Sequence, residues 1–270
     1  MNEPKIITSL TNDRVKAIRA LEMRKVRKET GLFVAEGTAL LISARDRGFV
    51  PETLVYQVGT NDSGITRGLV TWALKEGAEV LEVSEMVLGK LASKDNPQTV
   101  LGVFRQSFSE PPAPEALDPR ATWLALEEVR DPGNLGTIVR TSDAVSVTGI
   151  ILIGTCCDPY STESIRATMG SIFAVPIVKM ERAAFLALAA LWPGDVVATH
   201  LDATDDFRAV SYRGPELVVM GSEGPGLTQD VAKACTRRVK IPMSGTLDSL
   251  NLAIATALTL YQVRSRHLKL

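Results

Sequence analysis

The second half of the chain alternates short apolar runs with helical stretches, and few folds accommodate that order. Thr122 to Leu126, Gly149 to Ile153, Val196 to Thr199, Leu217 to Met220 and Val239 to Ile241 are apolar runs of strand length. Leu135–Val147, Arg182–Leu191, Thr228–Ala234 and Leu250–Val263 carry apolar residues at helical spacing. A strand that is apolar throughout is buried on both faces, and strands separated by helices pair in parallel. The order therefore predicts an α/β domain with a mainly parallel sheet covered on both sides. Ligands of such sheets sit beyond the carboxyl ends of the strands, so the segments after the runs are where chemistry is expected.

A second feature divides the chain. Ser107 to Arg120 holds four prolines, Pro111, Pro112, Pro114 and Pro119. Proline lacks the amide hydrogen that helix and ladder require, so this stretch reads as a linker. It separates residues 1–106 from residues 121–270. In the first part Asn12–Glu29 suits a helix capped by Thr11 or Asn12, and Leu32–Ala35 is a short apolar run. Gly37–Arg47, Thr66–Lys75 and Ser84–Leu91 read as helices, and Thr53–Val58, Glu79–Val83 and Val100–Phe104 as strands. A smaller α/β domain is expected there.

Composition narrows the class. The chain is 45% hydrophobic and 23% charged, as soluble globular proteins are. No apolar run approaches the roughly 18 residues of a membrane helix, and Met1–Leu10 lacks the apolar core of a signal peptide. A cytoplasmic protein without membrane contact is expected. The three cysteines, Cys156, Cys157 and Cys235, and two histidines, His200 and His267, have no metal-ligand spacing, so no metal is expected. A net charge of −1 argues against a surface that binds nucleic acid everywhere. Charge is uneven, however: Arg14, Lys16, Arg19, Arg24, Lys25, Arg27 and Lys28 crowd one stretch. That stretch is either a phosphate-binding face or an ordinary solvated helix face.

Three polar segments follow or flank the apolar runs. In Asp131-Pro-Gly-Asn-Leu-Gly-Thr-Ile-Val-Arg140, Pro132 and Gly133 force a turn, Asn134 is a natural N-cap, and Arg140 lies one and a half helical turns on. In Gly221-Ser-Glu-Gly-Pro-Gly-Leu227 the glycines allow close backbone approach to a ligand, but their order fits neither a dinucleotide fingerprint nor a P-loop. Glu223 inside it needs a partner, and Arg140 is the expected one. Ile241-Pro-Met-Ser-Gly-Thr-Leu-Asp-Ser-Leu-Asn251 runs into the last helix, where free backbone amides occur and Asp248 or Ser249 could cap. That helix is apolar nearly all round, through Leu250, Ala253, Ile254, Ala257, Leu258 and Tyr261 on one side and Leu252, Ala255, Leu260 and Val263 on another. Burial on more than one face is expected, with the second face either a subunit contact or part of the domain's own core.

In order and spacing these segments resemble the three motifs of the SpoU (TrmH-like) branch of the SPOUT methyltransferases, over about Trp123–Arg264. That resemblance implies a SPOUT domain with a deep trefoil knot, S-adenosylmethionine as cofactor, and transfer of its methyl group to a ribose 2′-hydroxyl of RNA. It implies a homodimer with the site at the interface. The family's motif residues fall on Asn134, Arg140, Glu223, Ser249 and Asn251 as catalytic candidates. Gly221, Ile241, Met243, Leu250 and Asn251 become cofactor-binding candidates. The family often carries serine where this chain has Ala253, which removes one hydroxyl near the cofactor and none of those five groups. Asn12-Asp-Arg-Val-Lys16 and Phe33-Val-Ala-Glu-Gly37 resemble the L30e-like substrate-binding domain of ribosomal-RNA members. On that reading Arg14, Lys16, Arg24, Lys25, Arg27 and Lys28 contact RNA.

The expected chemistry is displacement at a sulfonium by a hydroxyl, a poor nucleophile until its proton leaves. A guanidinium holds its proton too firmly to act as a base, so Arg140 is read as holding the target phosphate and stabilising charge on the 2′-oxygen. The large N-terminal domain favours 23S ribosomal RNA over tRNA. The alternatives are a tRNA 2′-O-methyltransferase and a non-catalytic RNA-binding protein of ribosome assembly.

Overall fold

The computed structural model describes residues 3–62, 64–92, 98–246 and 249–268. The chain forms two compact units, residues 1–106 with 158–174, and residues 107–157 with 175–270.

In the first unit, chain order is β1 (Lys5–Ile7), α1 (Asp13–Ala20), α2 (Arg24–Thr30), β2 (Leu32–Glu36), α3 (Thr38–Asp46), β3 (Thr53–Gln57), α4 (Gly64–Lys75), β4 (Glu79–Val83), α5 (Glu85–Leu91) and β5 (Val100–Arg105). The sheet order is β1-β4-β3-β5-β2, with β5 antiparallel to both neighbours and β4 parallel to both of its own. Val15, Ile18 and Leu21 of the N-terminal region and Val87, Leu88 and Leu91 of α5 pack on Val55, Leu81, Val83, Leu101 and Val103 of the sheet. The single helix expected over Asn12–Glu29 is two. It breaks at Leu21–Met23, where Met23 adopts an extended backbone and the Arg27 guanidinium donates to the carbonyls of Leu21 and Glu22, each at 2.8 Å. Asn12 caps α1, donated to by the Arg14 amide at 2.8 Å.

The second unit opens with β6 (Thr122–Glu127), α6 (Pro132–Ala144) and β7 (Gly149–Ile153). The chain then supplies α7 (Thr162–Thr168) and a short turn, Ser171–Phe173, to the first unit. Residues 158–174 thus depart from the sequence division, which puts all of 121–270 in one domain. Aromatic packing explains their place: Phe33 meets Tyr160 at 4.7 Å between ring centroids, and Phe173 meets Phe104 at 5.0 Å and Phe49 at 5.2 Å. Arg27 and Asp158 add an ion pair at 2.8 Å.

The second unit resumes with β8 (Ile177–Met180), α8 (Arg182–Ala190), β9 (Val196–Thr199), β10 (Asp205–Asp206), β11 (Glu216–Met220), α9 (Gln229–Ala234), β12 (Arg237–Lys240) and α10 (Leu252–Arg264). The sheet order is β10-β12-β9-β11-β6-β7-β8, parallel at every pairing. Side chains alternate across a strand, so Trp123, Ala125, Ile151, Ile153, Leu217 and Val219 share one face, packed on Phe185, Leu188 and Ala189 of α8 and Val231 and Ala232 of α9. Leu124, Leu126, Ile150, Leu152 and Val218 point to the opposite face and are buried as well, on the side where α10 runs against α6 and β11. Burial on both faces is why these strands read as unbroken apolar runs.

Candidate functional site

Because the pairings are parallel, the segments after β6, β11 and β12 leave the sheet at the same carboxyl end. Those are the three motif segments. The first enters α6 through Asp131, which caps the helix by accepting from the Asn134 amide at 2.6 Å, with Pro132 in the first turn. Asp131 therefore takes the capping role expected of Asn134. Proline at the first helical position was the signal for it, since proline suits N1 and places the cap one residue before. Relieved of capping, the Asn134 side chain is free to reach across the site.

The second segment folds back on itself. The Gly226 amide donates to the Ser222 carbonyl at 3.1 Å, and Gly224 and Gly226 have φ of +91° and +70°. A Cβ on Gly221 would lie 2.2 Å from the Gly226 carbonyl carbon, so only glycine fits there. The hairpin presents Glu223 exposed near its tip. The third segment has neither helix nor strand over residues 241–246 and 249–250. Asn251 then caps α10, its Oδ1 accepting from the amides of Ala253 at 2.9 Å and Ile254 at 3.3 Å. The helix thus begins two residues later than its apolar pattern suggests, and Asn251, not Ser249, caps it; Asp248 lies outside the described residues.

Three of the catalytic candidates meet. Asn251 Nδ2 donates to Asn134 Oδ1 at 2.9 Å, and Asn134 Nδ2 donates to Glu223 Oε1 at 2.5 Å. The polarity of this relay is fixed from one end. The helix amides demand an oxygen from Asn251, which leaves its nitrogen for Asn134 and turns the Asn134 nitrogen toward the carboxylate. The other two candidates stand apart. Arg140 is exposed on α6 and its side chain makes no hydrogen bond or ion pair with any described residue, and neither does the side chain of exposed Ser249. The expected Arg140–Glu223 pair is not formed. Glu223 is engaged by Asn134, and Arg140, six residues further along the helix, projects from another side.

Of the cofactor candidates, Gly221, Ile241 and Met243 are half-buried and Leu250 is exposed. No lysine or arginine occurs in Gly221–Leu227 or Ile241–Asn251. Anionic phosphates are thus poorly matched to these segments, whereas a cationic sulfonium joined to an uncharged aromatic base suits backbone groups beside Gly221, Met243 and Leu250. Cys157 lies near Asp131 and Glu223, and burial, then the nearby Cys156 and the two carboxylates, pushes its thiol up to about 12. It is a neutral thiol and no nucleophile.

In the first unit Arg14, Lys16, Arg24, Lys25 and Lys28 are exposed. Arg14 faces Glu79 at 3.3 Å, Lys16 faces Asp13 at 3.2 Å and Lys25 faces Glu29 at 3.9 Å, pairs that solvent weakens and a phosphate can displace. Arg27 corrects the sequence reading. It is 4% exposed, and its guanidinium is used by Asp158, Leu21 and Glu22. It holds the α1–α2 break and is not available to RNA.

Residues 121–261 match the SpoU rRNA Methylase family. The chain belongs to that family. Residues 12–102 of this SpoU-family protein match the MRM3-like substrate binding domain. It is similar to an AdoMet-bound rRNA methyltransferase from Sinorhizobium meliloti, with 42% identity and a TM-score of 0.90 over 99% of this chain and 100% of that one. It is 26% identical to the 23S rRNA (guanosine(2553)-2'-O)-methyltransferase RlmP of Bacillus subtilis, over 96% of this chain and 99% of the relative. It is 29% identical to the 23S rRNA (uridine(2479)-2'-O)-methyltransferase of Streptomyces viridochromogenes, over 90% and 86%. No helix among the described residues is long and apolar enough to cross a membrane.

Proposed function

We propose that the protein is an S-adenosylmethionine-dependent methyltransferase acting on a ribose 2′-hydroxyl of ribosomal RNA in the cytoplasm. The relay from Asn251 through Asn134 to Glu223 carries this reading, because it joins all three motif segments at the carboxyl end of the sheet. The relatives named for 23S ribosomal RNA and the AdoMet-bound neighbour support the substrate class and the cofactor.

Gly221, Ile241, Met243 and Leu250 would hold the cofactor, with Asn251 beside them. When bound, it supplies a methyl group on a positively charged sulfur. The rest falls to this chain. Arg140, unpaired among the described residues, binds the phosphate next to the target ribose and stabilises negative charge growing on the 2′-oxygen. Asn134 is held by its two partners and orients the ribose, so a large share of the rate comes from placement. Glu223 braces the Asn134 amide, and Ser249 faces solvent where the substrate arrives. The exposed cations Arg14, Lys16, Arg24, Lys25 and Lys28 attract the RNA backbone to the L30e-like domain, residues 1–106. Residues 107–120, expected as a linker, pack with the second unit, where the Ser109 amide donates to the Ile177 carbonyl at 2.8 Å; of residues 121–270, read as the SPOUT domain, 158–174 pack with the first unit.

The same reading makes the protein a homodimer. Leu250, Ile254, Leu258 and Tyr261 are 41%, 52%, 43% and 51% exposed, while the opposite face of α10, through Leu252, Thr256, Leu260 and Val263, is buried. Three large apolar groups on one helix face, with Leu250 just before the cap, favour a partner. A trefoil knot in residues 121–270 is part of the proposal. It is supported by α10 returning from β12 to lie against α6 and β11.

The test supplies methyl-labelled S-adenosylmethionine with unmodified ribosomal RNA and, separately, tRNA. Label in ribosomal RNA supports the proposal. Label confined to tRNA overturns the substrate, and binding of RNA without any cofactor binding overturns the reaction.

A further inference from the structure

Glu127, the last residue of β6, is 1% exposed yet carries a carboxylate. Its Oε1 accepts from Thr228 Oγ1 at 2.7 Å and from Arg182 Nε at 3.0 Å, and its Oε2 accepts from the Thr228 backbone amide at 2.8 Å. Burying a carboxylate costs free energy that an apolar side chain at the end of a buried strand avoids. What sets this one apart is where its partners lie. Thr228 directly follows the glycine hairpin that carries Glu223. Four residues after Glu127 comes Asp131, the cap of the helix that carries Asn134. Glu128, between them, has φ of +51°, a left-handed backbone unusual outside glycine, and its Oε1 accepts from the second arm of Arg182 at 2.8 Å. One carboxylate therefore pins the exit of the hairpin to the start of the turn into α6. Elsewhere along the same two segments, Asn134 and Glu223 reach each other.

We infer that Glu127 is a positioning residue for methyl transfer, fixing the hairpin against the β6–α6 turn so that Glu223 meets Asn134. This rests on the function proposed above. Glu127 touches neither member of the relay; it sets their separation.

The substitution E127Q keeps the volume and replaces one oxygen by an NH2 group. Whichever way the amide turns, an N–H faces either the Thr228 amide or Arg182. Thr228 forms no side-chain cap on α9, so T228V removes the hydroxyl donor to Glu127 and no cap bond, and T228S retains it. The measurements are kcat and KM for RNA, and the NMR signal of the Asn134 side-chain amide in the free protein. E127Q should lower kcat about tenfold with KM within about threefold, the scale of one lost charge-assisted hydrogen bond, and shift the Asn134 signal. T228V should do the same more weakly, and T228S should match wild type. An unchanged kcat and Asn134 signal in E127Q overturns the inference. If E127Q does not fold, the valine and serine variants decide, and identical behaviour of the two overturns it. A wild-type protein without methylation refutes the function, and the Asn134 signal still decides the role of Glu127.

Discussion

Asn251 does two jobs with two different atoms, and N251D separates them. Its oxygen caps α10 and its nitrogen donates to Asn134. The introduced carboxylate keeps the cap, and its charge at a helix N-terminus is favourable by roughly 0.3–1 kcal/mol. It loses the donor, and with exposed partners that loss costs about 0.5–1.5 kcal/mol of stability. The two nearly cancel, so the unfolding free energy should stay within about 1 kcal/mol of wild type. The relay fares worse. Asn134 must now turn its nitrogen either to the new carboxylate or to Glu223, leaving its oxygen against the other. The bond lost is the neutral one from Asn251 to Asn134, about 0.5–1.5 kcal/mol in the group that orients the ribose, and an amide oxygen is left against a carboxylate, which lowers kcat roughly 3- to 12-fold. Single-turnover methylation of saturating RNA, beside chemical denaturation of the same sample, reads both quantities. N251A is the companion: it should lose the cap as well, about 0.5–2 kcal/mol. An N251D protein of normal stability with kcat within about threefold of wild type would show that the relay does not orient the substrate.

D158N leaves Arg27 buried without its charge partner and should destabilise the first unit by about 3–5 kcal/mol, read as a lower urea midpoint. G221A should abolish cofactor binding in calorimetry, because a Cβ there lies 2.2 Å from the Gly226 backbone. Exchanging exposed Lys25 and Lys28 for glutamine should weaken RNA binding with little change in the unfolding midpoint, since the Lys25–Glu29 pair at 3.9 Å is solvent-exposed. The slope of log K against log salt should fall by about 0.7–0.9 per phosphate contact removed, and an unchanged slope would mean that this face does not meet RNA.

Much of the sheet in the second unit could be read directly, because a strand buried on both faces is apolar at every position: Leu124 to Leu126 and Ile150 to Ile153 leave no other interpretation. Shorter and edge strands could not. β1 is three residues, β10 is two, and β8 carries Lys179 among four. Such pieces are strands only because a neighbour supplies the ladder. The two-helix break at Leu21–Met23 depends on Arg27 finding Asp158, 131 residues away, and no local pattern encodes that. The same holds for residues 158–174, whose place follows from Phe33 and Phe104. At the site, the candidate residue types were legible as motifs, while their partners were not. Opposite charge suggested Arg140 for Glu223, whereas geometry gave Glu223 to Asn134, since Asp131 had already taken the cap.

The most direct test of the central claim locates the methyl group and the role of Arg140 together. Wild type and R140A are incubated with methyl-labelled S-adenosylmethionine and unmodified ribosomal RNA, the RNA is hydrolysed in alkali, and cofactor affinity is measured on both proteins. A 2′-O-methyl group blocks alkaline cleavage at its own linkage, so label from the wild type should appear in alkali-resistant dinucleotides. R140A should bind the cofactor normally and lose about 100-fold or more in rate, as removal of a group that stabilises developing charge does. Label in single nucleotides, which marks methylation of a base, or an R140A protein of normal rate would contradict the account.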